Sequence, residues 1–227
     1  DKILLPVERI TPEIIETFGE RLIGVLPPIL WPADEEAFEA RLAALKEAGL
    51  CEVYGDNIYA IPLTRRLGLA LHGGAGLNIL NTEALRHYEE EGLASVTVSF
   101  ELSMRGIKSL GGRIPLGAIV YGRLPLMHFR NCPIRSQLGC AACRARGELT
   151  DRRGVKFPVE CGEKKYSTLL NSVPLHIADK DLRGLDHCIL WFTRESAAEC
   201  AAVAADYRAG RKSERERTGG LYYRELL

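Results

Sequence analysis

Leu69-Ala70-Leu71-His72-Gly73-Gly74-Ala75-Gly76-Leu77-Asn78-Ile79-Leu80-Asn81 opens as a strand, turns sharply, and ends on a helix-capping residue. A helical stretch follows Asn81, Gly92 stops it, and Ser95-Val96-Thr97-Val98-Ser99 begins the next strand. This strand–turn–helix–strand step decides the fold class, because it recurs in both directions along the chain. Upstream, Ile3-Leu4-Leu5-Pro6-Val7 precedes a helix with Thr11 as N-cap and Pro12 at its first position. Arg21 to Leu26 is the second strand. The segment from Asp34 to Ala48 then places Phe38, Leu42 and Leu45 on one helical face. Gly49 ends that helix, Cys51 to Tyr54 is a strand, and Ile58 to Arg66 a short helix. Downstream, Ser103 to Leu110 is helical and Ile114 to Tyr121 extended. Cys188 to Phe192 is the last strand. A final helix capped by Thr193 runs to about Arg208, with Val203 and Tyr207 facing inward.

Sequential parallel strands with helical crossovers make either a doubly wound sheet or a barrel. A doubly wound nucleotide fold needs a phosphate loop. Gly73-Gly74-Ala75-Gly76 lacks both the later glycine and the distant acidic ribose ligand, so it reads as a tight turn. The expected fold is therefore α/β: a TIM-like barrel, closed or incomplete, spanning residues 1–210. A cysteine-bearing, β-rich segment is inserted at about 122–186, over one end of the barrel. Asp151-Arg152-Arg153-Gly154 reads as a turn within that segment. Residues 211–227 form a charged, solvated tail.

Composition narrows the function. The chain of 227 residues carries 30 Lys plus Arg against 30 Asp plus Glu, so net charge gives no general pull toward nucleic acid. No apolar run reaches the length of a membrane span, and a cytoplasmic protein is expected. Asp1 in place of an initiator Met points to a piece of a longer polypeptide with other domains. Seven cysteines, an odd number, argue against a disulfide scaffold. Cys51, Cys188 and Cys200 sit singly among apolar residues and read as small buried thiols.

The other four are spaced Cys132-x7-Cys140-x2-Cys143-x17-Cys161. Two thiolates two residues apart can grip one ion, and the outer two can complete a tetrahedron from neighbouring loops. Gly139 and Gly162 adjoin ligands, Pro133 follows Cys132, and Arg130, Arg135 and Arg144 favour thiolates and an anionic cluster. Spacing leaves Zn²⁺ and a [4Fe–4S] cluster both open.

Barrel chemistry belongs at strand C-termini, which here hold Glu8, Asn57, His72, Glu101 and Tyr121. Asn78 and Asn81 follow His72. His72 is a candidate general acid or base, or a structural histidine held by hydrogen bonds. Glu101 is a candidate base or hydroxyl ligand, or a carboxylate paired with arginine. Asn57, Asn78, Tyr121 and Arg130 are candidate substrate contacts, and Asn81 is equally suited to capping a helix. His128 stands near the cysteines. The basic stretch from Arg123 to Lys165, with Phe129, Phe157 and Tyr166 interleaved, suits RNA, or else pairs with Glu148, Asp151 and Glu160.

Several of these pieces resemble a known family. Leu71 to Asn81 resembles the "H-G-x-x-G-L-N-x-x-N" segment of the U32 peptidases. Val98-Ser99-Phe100-Glu101-Leu102-Ser103 resembles their "S-P-E-L" segment, with Phe100 in place of proline. Val120 to Met127 and Arg130-Asn131-Cys132-Pro133 resemble their cysteine-bearing stretch, and Leu149 to Gly154 and Leu170-Asn171-Ser172 fit the same branch. The resemblance is to the C-terminal barrel portion of longer members. It implies a TIM-like barrel with four cysteine ligands, and it tilts the metal toward [4Fe–4S]. It also implies a divided function: collagenase-like peptidase activity, or hydroxylation of RNA bases or of small aromatic quinone precursors. A third possibility is a non-catalytic, zinc-stabilised RNA-docking module. For a peptidase the residues offer no H-E-x-x-H helix and no G-x-S-x-G elbow.

Overall fold

The computed structural model describes residues 1–143 and 147–223. Arg144, expected to favour the cysteine thiolates, lies outside them. The chain divides into two compact units. The first holds Asp1–Ala118, Leu182–Cys188 and the residues from Leu221, and the second holds Ile119–Asp181 and Ile189–Gly220.

In the first unit the strands β1 (Ile3–Pro6), β2 (Leu22–Val25), β3 (Glu52–Gly55), β4 (Ala70–Gly73), β5 (Ser95–Thr97) and the start of β6 (Leu116–Gly122) pair in chain order. All five pairings are parallel. The helices α1 (Pro12–Phe18), α2 (Glu35–Glu47), α3 (Ala60–Leu67), α4 (Thr82–Glu90) and α5 (Met104–Ser109) supply the crossovers. The result is a mixed α/β fold whose mostly parallel sheet curls as a half-barrel. Among the described residues β1 pairs only with β2, so the sheet has an open edge there. Leu42, Val53, Ile79, Leu85 and Val96 are fully buried, each stabilising by roughly 1.5–3 kcal/mol.

The Gly73–Gly76 loop is a tight turn whose amides are used internally. Ala75 N–H donates to the Tyr54 hydroxyl at 3.1 Å and Gly76 N–H to Asp56 Oδ1 at 2.9 Å. A Cβ on Gly74 would fall 2.0 Å from Asp56 Oδ1, and one on Gly76 2.5 Å from the Asp56 carbonyl. Side chains have no room there, which explains the glycines.

In the second unit, β7 (Pro125–Phe129), β8 (Glu148–Thr150), β9 (Lys156–Gly162) and β10 (Tyr166–Leu170) form a separate antiparallel sheet in the order β7-β10-β9-β8. Before β8, α6 (Pro133–Cys143) is kinked at Gly139, whose φ of 74° only glycine adopts cheaply. Asp151 closes the β8–β9 turn, its carboxylate accepting from Arg153 and Val155 N–H. The end of β6 pairs antiparallel with β11 (Leu175–His176). β12 (His187–Trp191) also pairs with β6, and α7 (Ala197–Ala209) is the last helix.

Three local expectations are corrected. The cap of α7 is Ser196 rather than Thr193, in a reciprocal capping box with Glu199. Cys51 and Cys188 are exposed and Cys200 half-exposed. The charged tail is solvated only in part: Arg217 is half-buried against Asp179, Thr218 pairs with Leu175, and Tyr222 is buried.

Candidate functional site

Register in the first unit aligns Tyr54, His72 and Ser95 across β3, β4 and β5. Glu52 lies two residues before Tyr54 and so shares its face. His72 Nδ1 is 2.7 Å from Ser95 Oγ, and Nε2 is 3.1 Å from Glu52 Oε2. A carboxylate only accepts, so Nε2 carries the proton, and Nδ1 accepts the Ser95 hydroxyl hydrogen. Lys2 anchors the far side of Glu52 at 2.7 Å. Burial holds His72 below the usual imidazole range despite the opposing pull of Glu52. Burial pushes Glu52 up, but hydrogen bonds and charge from Lys2 and His72 more than reverse this. The group is a neutral imidazole set between a hydroxyl and a carboxylate, the order that activates a hydroxyl. His187 lies nearby, its ring tight against Gly117; burial and the charge of His72 both lower its pKa.

This arrangement changes the sequence reading of His72. It sets the residue between Ser95 and Glu52, neither of which the sequence singled out as a site residue. Glu52 and Ser95 are the first residues of β3 and β5, so the imidazole is drawn toward strand starts. Glu101 lies past the end of β5, exposed, its N–H donating to Ser99 Oγ. The alternation of Ser95, Thr97 and Ser99 with two valines was the signal for Ser95. Glu52 shows no comparable signal.

The other candidates have structural employment. Asn57 donates to the Pro28 carbonyl and accepts from Tyr59 N–H. Asn78 takes a left-handed conformation at φ 56°, and Asn81 caps α4 by accepting from Ala84 N–H. The carbonyl of Glu8 accepts from Arg41.

In the second unit Tyr121 is buried and donates to Glu195 Oε1 at 3.1 Å; burial and that carboxylate raise its pKa well above the phenol range. Its ring stands edge-on to His176, which also packs against Tyr207. His176 is 2 % exposed, and neither ring nitrogen has a hydrogen-bond partner among the described residues. Glu148 and Glu160 pair with Arg194. Arg130 is exposed.

The four cysteines are free thiols. Cys132 precedes α6, Cys140 and Cys143 lie after its kink, and Cys161 is on β9. β10 places Ser167 opposite both Cys161 and Phe129, so Cys161 lies at the sheet end from which the Cys132 segment departs. Two strand spacings separate those strands, about 10 Å. Among the described residues no three His, Cys, Asp or Glu side chains are gathered as a metal site.

Compared with models of protein families, residues 16–184 match peptidase family U32. The chain belongs to the U32 family. No curated protein and no solved structure matches it. The U32 match covers β2 to β11, hence the His72 group and all four cysteines. No described helix of this U32 chain is long and apolar enough to cross a membrane.

Proposed function

We propose that this U32 chain carries a four-cysteine metal centre in its second unit, as part of a longer cytoplasmic protein. The centre is a [4Fe–4S] cluster serving hydroxylation of RNA or a small aromatic precursor, with Zn²⁺ as the alternative metal. One observation carries this reading: four free thiols, none in a disulfide, just before a kinked helix, after its kink and on β9. Their chemistry fits the group, since both Zn²⁺ and [4Fe–4S] accept four thiolates. Cys132, Cys140, Cys143 and Cys161 would hold it, and binding would have to draw them together. When bound, a cluster supplies one-electron chemistry. The remaining parts of the notion are a first unit forming part of a TIM-like barrel, and Arg130 and Tyr121 as substrate contacts. Anaerobic purification followed by iron, sulfide and zinc analysis tests it. Four sulfur ligands to iron are expected, and a colourless protein that neither reconstitutes nor retains zinc would sink it.

A second reading is hydrolysis, as the family name has it, and the Ser95–His72–Glu52 chain favours it. Ser95 would be the nucleophile, neutral His72 its base and Glu52 the group that orients the ring. Casein or gelatin cleavage by the pure protein should vanish in Ser95→Ala and His72→Ala and persist in Glu101→Ala. Cleavage indifferent to all three changes belongs to a contaminant.

A further inference from the structure

Ser167 presents a buried hydroxyl that bonds to nothing among the described residues. The residue is 0 % exposed, and its Oγ has no hydrogen-bond partner among the described residues. A buried hydroxyl left unsatisfied costs about 1–3 kcal/mol, and native proteins rarely leave one so. Its neighbour Thr168 shows ordinary accounting on the opposite face, where Oγ1 pairs with His128 Nδ1 at 2.9 Å. The residues directly opposite Ser167 are Cys161 on β9 and Phe129 on β7. Directly paired residues point to the same face, with Cβ atoms about 4.5–5.5 Å apart. Phe129 offers no acceptor. Cys161 offers a sulfur, which is a weak acceptor as a thiol and a strong one as a metal-bound thiolate.

We propose that Ser167 is a positioning residue of the four-cysteine centre, its hydroxyl donating to Cys161 Sγ once that sulfur is a metal-bound thiolate. The inference rests on the four-cysteine reading and adds a member that the cysteine spacing does not reveal. It gives the orphaned hydroxyl a use: the group idles without metal and is satisfied on loading. Hydrogen bonds to ligand sulfurs tune both affinity and electron distribution at such centres.

The consequence has opposite signs in the two states. Without metal, Ser167→Ala removes an unsatisfied polar group, so the melting temperature should stay level or rise. With metal, the same change removes a hydrogen bond to a ligand. Zinc affinity, measured by competition with a chromophoric chelator, should fall about 10- to 100-fold. In the cobalt-loaded protein the sulfur-to-metal charge-transfer band should move to lower energy, because the thiolate loses its donor. Packing alone would not move that band. A variant that keeps both the affinity and the band position overturns the inference. So does one that destabilises the metal-free protein, since the hydroxyl would then have a partner within the protein. Wild-type protein that binds neither zinc nor cobalt and does not reconstitute a cluster, or that binds metal equally well after Cys161→Ser, would mean that the four-cysteine reading itself has failed.

Discussion

At the scale of single residues, His176 is the buried group with most to say about pH. Burial holds its pKa below the ordinary imidazole value; Asp206 and Asp179 pull it up and Arg217 pushes it down. Its Nε2 lies 3.9 Å from Asp206, beyond hydrogen-bond reach. A histidine depressed in the folded state leaves stability untouched at high pH, where both states are neutral. As pH falls below about 6.5 the unfolded chain takes up a proton that the folded chain refuses, and stability is lost. His72 and His187 are depressed as well and add to the same slope. His176→Phe should therefore flatten the fall in urea stability between pH 7 and pH 5, by up to about 1.4 kcal/mol per pH unit. An unchanged slope would mean that His176 protonates in the folded protein. The Gly74 position makes a second prediction of a steric kind. A methyl group there meets Asp56 and Tyr54. Gly74→Ala should cost about 1–3 kcal/mol, read from the urea midpoint at constant m-value.

At the scale of elements, the β9–β10 hairpin turns through Glu163 and Lys164, both at positive φ, with Lys165 N–H donating to the Gly162 carbonyl at 2.9 Å. Two consecutive left-handed residues are the signature of a type I′ turn, which glycine or asparagine fills at least cost. Lys164→Gly should thus raise stability by up to about 1 kcal/mol, whereas Lys164→Val should lower it. Equal urea midpoints for the two variants would rule out strain at this tip. The same turn marks where sequence reading fades. The steps of the first unit were legible because periodicity switches cleanly from strand to helix and glycines stop the helices, as Gly49 and Gly92 do. In the second unit a cap was misplaced by three residues, since Thr193 and Ser196 are chemically alike and only Ser196 has Glu199 three positions on. The hairpin offers Glu163 and Lys164, residues whose ordinary preferences point away from the conformation they hold.

At the scale of the whole molecule, what could not be read was register. His72 was recognisable as a chemical residue, and Glu101 as a separate candidate carboxylate. Which carboxylate it meets depends on how β3 and β4 are aligned, and alignment is a property of pairs of strands. The same holds for Ser167, unremarkable until β10 sets it opposite Cys161. The division into two units offers a way to ask whether metal acts where the cysteines are. The two tryptophans fall one to each unit, Trp31 in the first and Trp191 in the second. Trp31→Phe leaves fluorescence that reports the second unit, and Trp191→Phe leaves fluorescence that reports the first. A ligand that binds only the folded state adds RT ln(1 + [L]/Kd), about 2.7 kcal/mol at a hundredfold excess over Kd. In a unit of this size each kcal/mol moves the melting temperature by several degrees. Zinc added to metal-free protein should therefore raise the Trp191 transition clearly, and by at least as much as the Trp31 transition. A chelator should reverse the rise, and Cys140→Ser with Cys143→Ser should abolish it. A Trp191 transition that zinc leaves in place would separate the four cysteines from any structural metal, while a rise confined to the Trp31 signal would send the search for ligands to the first unit.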